Sequence, residues 1–239
     1  MSTYIENIKK TEQLFPTLFS SLEERAWGGL FYDCDNPLSF DANHAFFATA
    51  PTEEQIVEVT DFYQRKNLTP RIKTIDLCSC DDAKQQTLMI LSGENTIAKR
   101  QKLDIKIVKN YDSKISENIL LGTQKNYVEK VLKKSLKNQN FLLFVGYLFD
   151  EPVSMLSAWK SPFGTVRIDN VQTGIFFRSC GFASDLMRFA VEHIKSEFCE
   201  VGSPPCVYLT TTNVSAKNIY TRAGFKTQNM GIKTEFLTK

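Results

Sequence analysis

Val171-Gln-Thr-Gly-Ile-Phe-Phe-Arg178-Ser-Cys-Gly181-Phe-Ala-Ser-Asp-Leu-Met187 is the stretch that decides how the chain is read. It begins as a strand, breaks at Gly174 and re-enters as a helix near Gly181. Between strand and helix stand Arg178, Ser179, Cys180, Gly181, Phe182, Ala183 and Ser184: one arginine, then small residues where a backbone must approach a ligand. A helix N-terminus carries about half a positive charge and four unpaired N–H groups, so it holds a phosphate. Gly181 and Ala183 keep side chains out of that path, and Gly181 also permits unusual backbone angles. The residues predict an anion cradle for phosphate or pyrophosphate.

Working outward, 239 residues suffice for one large domain or two small ones. An apolar content of 42% is that of a soluble globular chain and does not indicate disorder. Lys plus Arg number 29 against 27 Asp plus Glu, so no global field points to nucleic acid. The longest apolar run, Phe141–Phe149, is too short to span a bilayer and is interrupted by Gly146. The first residues lack the basic and long apolar regions of a signal peptide, so the expectation is a cytoplasmic protein with neither nucleic-acid nor membrane partner. The six cysteines, at 34, 78, 80, 180, 199 and 206, follow no framework spacing and read as free thiols. Cys78-Ser-Cys80 lacks the usual ligand spacing, and His44 and His193 sit in unrelated contexts, so no metal is expected.

Residues 1–25 carry Ile5, Ile8, Leu14, Phe15, Leu18 and Leu22 at helical spacing, with Pro16 expected to break or restart the helix. Short strands follow at Phe31-Tyr32 and His44–Ala48. Thr52-Glu-Glu-Gln55 has capping-box spacing and opens a helix to about Lys66. Pro70–Cys78 alternates like a strand, and Asp81 or Asp82 caps a predicted helix carrying Leu88, Met89 and Leu91. A boundary is placed in the polar stretch 92–101, before the alternating strand Leu103–Lys109. The Lys-rich segment 123–138 reads as an amphipathic helix with a solvated basic face. Asn140–Phe149, Val153–Trp159 and Val166–Thr173 form a predicted antiparallel meander. The cradle helix runs from about Gly181 to Ser196, with Leu186, Met187, Ala190, Ile194 and Phe198 inward. Then come a strand at Cys206–Thr212, a helix at Ser215–Ala223 closed by Gly224, and a final hairpin from Phe225.

Roughly residues 103–239 resemble a GNAT acyl-CoA N-acyltransferase domain. Arg178-Ser-Cys-Gly181-Phe-Ala183 matches the family's Q/R-x-x-G-x-G/A loop. Thirty residues on from Ala183, Asn213-Val-Ser-Ala216-Lys-Asn-Ile-Tyr220-Thr-Arg-Ala-Gly224-Phe225 matches its N-x-x-A-x-x-x-Y-x-x-x-G-F element. The resemblance implies an α/β (α+β) fold with a central mixed, mostly antiparallel sheet, preceded by a smaller α/β domain. Residues 1–100 resemble the degenerate first half of tandem GNAT proteins, chiefly through Asn36-Pro-Leu-Ser-Phe-Asp-Ala-Asn43-His44 and the elements after it. No second cofactor loop accompanies them, so this half is expected to shape the acceptor site without binding coenzyme A.

By the same resemblance, Arg178 and the N–H groups from Ser179 to Ser184 hold the coenzyme A pyrophosphate. Val171 and Thr173 offer backbone groups to the pantetheine amides, as a neighbouring strand would. Asn213, with Ala216 of the same element, binds the pantetheine side, and Tyr220 protonates the departing thiolate or walls the tunnel. The implied reaction is direct attack of a primary amine on acetyl-CoA, without a metal, with a backbone N–H around Asp169–Asn170 stabilising the oxyanion. Asp169 is the nearest carboxylate; a water chain or a residue from the N-terminal half remains an equal candidate for the base. The acceptor, a small-molecule amine or a peptide or protein amine, is left open, and so is a homodimer. The competing reading is a non-catalytic acyl-CoA-binding or interaction protein. Cys180 and His193 also read as structural, His44 as a core or turn residue, and Asp33, Asp35 and Asp41 as a solvated loop.

Overall fold

The computed structural model describes residues 2–77, 85–99, 102–122, 124–198 and 205–237. The chain opens with α1 (Ser2–Leu14), which Pro16 ends in a 3-10 turn, Phe15–Leu18. It does not resume as a helix. Ser21–Arg25 is β1, paired antiparallel with β2 (Gly28–Tyr32), which corrects the helix expected through residue 25. β3 (His44–Phe47) leads to α2 (Glu53–Arg65), where the capping box forms: Thr52 Oγ1 accepts from the Gln55 N–H at 3.3 Å and Gln55 Oε1 from the Thr52 N–H at 2.9 Å. β4 (Arg71–Leu77) and β5 (Gln85–Leu91) follow. The helix predicted around Leu88 is therefore the strand β5, its Asp81 and Asp82 caps lying outside the described residues. β5 runs between two other strands, with Leu88 and Met89 both buried, so its apolar residues are consecutive rather than alternating.

The second half comprises β6 (Asp104–Val108), α3 (Ser113–Ile119), α4 (Gln124–Ser135), β7 (Phe141–Leu148), β8 (Glu151–Lys160) and β9 (Thr165–Thr173). A 3-10 turn, Ile175–Phe177, then leads to α5 (Phe182–Glu197), β10 (Cys206–Thr211), α6 (Val214–Arg222) and β11 (Phe225–Phe236). β7, β8 and β9 form the predicted antiparallel meander. In place of the final hairpin, β11 is one twelve-residue strand, bent by a register shift between Thr227 and Gly231.

Among the described residues, eleven strands join one sheet in the order β1-β2-β3-β4-β11-β5-β10-β9-β8-β7-β6. Pairing is antiparallel except at β3/β4 and β9/β10. The sheet crosses the 92–101 stretch without interruption, because β11 lies between β4 and β5 and β5 pairs with β10. On one face Leu186, Met187, Ala190 and Ile194 of α5 pack over Phe144, Leu156 and Ile168, as the spacing predicted. On the other, Leu132 of α4, Ile115 of α3 and Phe15 cover Leu143, Val145 and Trp159. A third cluster sets Val59, Phe62 and Tyr63 of α2 against Leu30, Phe47 and Ile72.

Gly224 ties the end of α6 to the segment after β5. Its carbonyl accepts from Ser92 and Gly93 N–H at 3.1 and 2.9 Å, its φ is +99°, and a Cβ would stand 2.5 Å from the Gly93 oxygen. Gly224→Ala is expected to destabilise the chain by about 2 kcal/mol, from positive-φ strain and the close approach. Urea denaturation checks this; an unchanged midpoint would show the junction to be dispensable.

Candidate functional site

β9 and β10 run parallel and paired from Thr165 with Cys206 to Ile168 with Leu209, and then part. β10 stays with β5 as far as Thr211, while β9 stays with β8 as far as Thr173. The cause is a bulge in β9. The β8 register shifts between Met155, opposite Gln172, and Ser157, opposite Asp169, and Asn170 inside the shift has φ +51°. A bulge of this kind bends its strand and raises the local twist. Beyond it, Gly174 N–H donates to Val153 O at 2.9 Å and Ser154 Oγ to Gln172 O at 3.0 Å, so these two residues face β8. By alternation, Val171 and Thr173 turn their backbone groups into the gap.

The loop before α5 closes one end of that gap. Ser179 has φ +63° and Gly181, the residue before α5, φ +86°. Such left-handed turns point successive N–H groups inward, as an anion nest requires. No side chain caps α5, and the first helical N–H to meet an acceptor is that of Asp185, bonded to Gly181 O at 3.1 Å. Among the described residues, the N–H groups of Phe182, Ala183 and Ser184 therefore have no acceptor. Phe182 is buried with Leu103 and Val153, which anchors this end of the helix. Cys180 is exposed beside it. Arg178, also exposed, folds back so that its Nε donates to Thr173 O at 3.3 Å. Asp185, buried in the first turn, has no hydrogen-bond partner on either oxygen among the described residues.

Across the gap, Asn213 caps α6: its side-chain oxygen accepts the Ala216 N–H at 3.1 Å, and its own N–H donates to Thr211 Oγ1 at 3.0 Å. The N–H of Ala216 is thereby used inside the chain. Tyr220 is 6% exposed; burial, and then the charge of Asp169, push its hydroxyl up to about 12. It is a neutral donor at any ordinary pH. Asp169 accepts the Asn170 N–H through Oδ1 at 2.8 Å and Arg167 Nη1 through Oδ2. The Asn170 N–H, offered to an oxyanion by sequence reasoning, is thus engaged already, and the N–H facing the gap is that of Val171.

Arg167 and Glu12 escaped sequence reasoning. They lie 155 residues apart, and the strand pattern shows only that Arg167 faces away from Val166 and Ile168. The aspartates near His44 do not form an open acidic patch: Asp41 pairs with Lys73 at 2.9 Å and Asp33 with Lys134 at 2.6 Å. Lys73 holds the Asp41 carboxyl well below the usual range. Burial lowers His44 well below an ordinary imidazole, and His193 stacks on Phe189. Among the described residues, no group of three or more His, Cys, Asp or Glu is placed to hold a metal, and no helix is long and apolar enough to cross a membrane.

No family model and no curated protein matches the chain in sequence. Its fold does have counterparts. A GCN5-related N-acetyltransferase from Kribbella flavida superposes with a TM-score of 0.63 at 11% identity, over 95% of this chain and 93% of that one. A GCN5-related N-acetyltransferase-like protein from Streptococcus suis matches with 0.54 at 11% identity, over 98% and 99% of the two chains. A tandem GNAT protein from the clavulanic acid biosynthesis pathway matches with 0.57 at 8% identity, over 81% and 75%. The chain has the GNAT acetyltransferase fold.

Cys34 and Cys180 are exposed, whereas Cys206 is buried, which pushes its thiol up to about 11. Iodoacetamide at pH 8 is expected to alkylate Cys34 and Cys180 of the folded chain, and Cys206 only after unfolding. Peptide mass spectrometry giving equal rates at the three sites would contradict this placement.

Proposed function

We propose that the protein is an N-acetyltransferase that moves an acetyl group from acetyl-CoA to a primary amine by direct attack in a ternary complex. One observation carries the proposal: the unpartnered N–H groups opening α5 stand at the end of a gap into which Val171 and Thr173 turn their backbone groups, the Thr173 carbonyl being held there by Arg178 Nε. A pyrophosphate suits the first and an amide chain the second. Residues 179–184 hold the pyrophosphate, with Arg178 leaving Thr173 O to pair with it. Thr173 and Val171 bond the pantetheine amides, and Asn213 donates from the other side.

The amine nitrogen attacks the thioester carbonyl, the C–N bond forms, and the C–S bond breaks. The Val171 N–H faces the oxygen that gains charge. Each Asp169 oxygen has one lone-pair direction left after its present bond, so Asp169 orients the amine while the amine's proton leaves to water. Tyr220 donates its hydroxyl to the departing sulfur. Residues 1–100 act as a degenerate GNAT-like half beside the catalytic part, 103–239, and line the acceptor side. The acceptor is a small-molecule amine or the amine of a peptide or protein.

A second reading, acyl-CoA binding without transfer, draws support from the two donors already on Asp169. An acceptor screen with acetyl-CoA, following free thiol release over a broad amine panel, separates the two; turnover of any amine removes the second. Gly181→Glu, which sets an anion in the phosphate path, is expected to weaken coenzyme A at least 100-fold by calorimetry, and unchanged affinity would sink the cradle. Tyr220→Phe is expected to lower kcat roughly 10–100-fold with coenzyme A affinity intact. Wild-type kcat in that variant would leave the hydroxyl only a structural part.

A further inference from the structure

Three charged side chains meet on the sheet face opposite α5, and acetyl transfer as proposed uses only Asp169. Arg167 and Glu12 are each 8% exposed. Arg167 Nε donates to Glu12 Oε1 at 2.8 Å and its Nη1 to Asp169 Oδ2. The Tyr208 hydroxyl donates to the same Glu12 oxygen at 2.8 Å, and the Phe15 ring lies 4.1 Å from the guanidinium. A guanidinium is a planar fork, so acceptors on two of its edges fix its plane and, through it, each other. Burial opposes its charge, but the Asp169 and Glu12 carboxylates outweigh that and raise its pKa well above the ordinary value.

The connection continues into the bulge. Asp169 Oδ1 accepts the N–H of Asn170, the residue at positive φ that parts β9 from β10. A non-glycine residue keeps such a conformation only where its surroundings over-determine it. At the other end α1 is itself registered on β9: Thr11 Oγ1 lies 2.7 Å from Thr165 Oγ1 and donates to Ser161 Oγ at 3.1 Å. An unbroken series of hydrogen bonds thus leads from the N-terminal helix to the backbone that lines the gap.

We infer that Arg167 is a positioning residue: braced by Glu12 of α1, it holds the Asp169 carboxylate and with it the bulge that turns the Val171 N–H into the gap. The N-terminal helix thereby sets the transfer site without reaching it. The kinetic part of this inference rests on the acetyl-transfer reading; the structural part rests on geometry alone.

Two variants test it. Glu12→Gln keeps the shape and an acceptor oxygen for Arg167 and Tyr208, while Arg167→Lys keeps the charge and loses the fork. In labelled protein without substrate, the Asn170 amide is expected to exchange at least tenfold faster in Arg167→Lys, and measurably faster in Glu12→Gln, while Val166 and Ile168 keep their rates. With acetyl-CoA and an amine from the screen, kcat is expected to fall about 100-fold and about tenfold respectively, KM for acetyl-CoA staying within twofold. A merely structural ion pair would move the melting temperature and leave that split untouched. Unchanged exchange at Asn170, or loss of protection throughout the sheet, overturns the clamp; wild-type kcat in both folded variants overturns its part in transfer. Should Arg167→Lys fail to fold, Glu12→Gln decides by the same readouts. A wild-type chain inert to every amine would sink acetyl transfer, and exchange at Asn170 would still decide the clamp.

Discussion

A strand that leaves its neighbour strips backbone N–H and C=O groups of their partners, and a folded chain does this only where something else satisfies them. β9 does so after four pairs with β10, because the bulge at Asn170 shifts its register on β8 and bends it outward. The rest of the site follows from that bend. The strand ends over the open gap, Gly174 turns the chain, and the left-handed angles at Ser179 and Gly181 aim the start of α5 at the same opening. Two kinds of unsatisfied backbone, an edge and a helix end, thereby face a single space. A ligand with an amide chain and a phosphate complements both at once.

The bulge needs bracing, and the sheet supplies it from a distance in sequence. β11 fills the space between β4 and β5, pairing through Met230–Phe236 with β4 and through Phe225–Thr227 and Gly231–Lys233 with β5, so neither of those strands is left as an open edge there. This interleaving joins the two halves of the chain in one sheet and leaves α1 free to lie across β9 and β10. Glu12 can then share Arg167 with Asp169. An isolated C-terminal half would lack β4, β5 and α1, and with them the partner that keeps the buried guanidinium neutralised on its second edge.

What could be read beforehand was local in origin. The inner face of α5, the capping box at Thr52 and the β7–β9 meander all follow from short-range spacing and turn chemistry, and the structure has each of them. What could not be read depends on distant partners. Leu88-Met-Ile-Leu91 has no period of its own, and only the strands on both sides of β5 make it a strand rather than a helix. The Gln228-Asn-Met-Gly231 segment looks like a turn, yet β4 and β5 hold it straight enough to be a bulge within β11. Asn170 carries no glycine to announce a positive φ. The turn that opens α5 was legible because it lies in one loop, whereas the surroundings of Asp169 were half legible, because Glu12 and Arg167 meet only after folding.

The environment of Tyr220 sharpens its part in the proposed chemistry. Burial and the neighbouring Asp169 raise its hydroxyl to about 12, which guarantees a proton to offer but weakens the urge to give it. A thiol ordinarily ionises at about 8.5, below the Tyr220 hydroxyl, so a coenzyme A thiolate is a weaker base than the tyrosinate it would create. Full transfer is therefore a poor description of the moment the C–S bond breaks. A hydrogen bond that strengthens as charge gathers on sulfur carries no such penalty, and in a buried setting it is worth more than in water. In the proposed reaction the Asp169 charge that lifts Tyr220 would also attract the acceptor amine before it loses its proton to water. Acceptor and leaving group of that reaction would thus be coupled through one carboxylate, to which Arg167 and, through Glu12, the N-terminal helix are bonded.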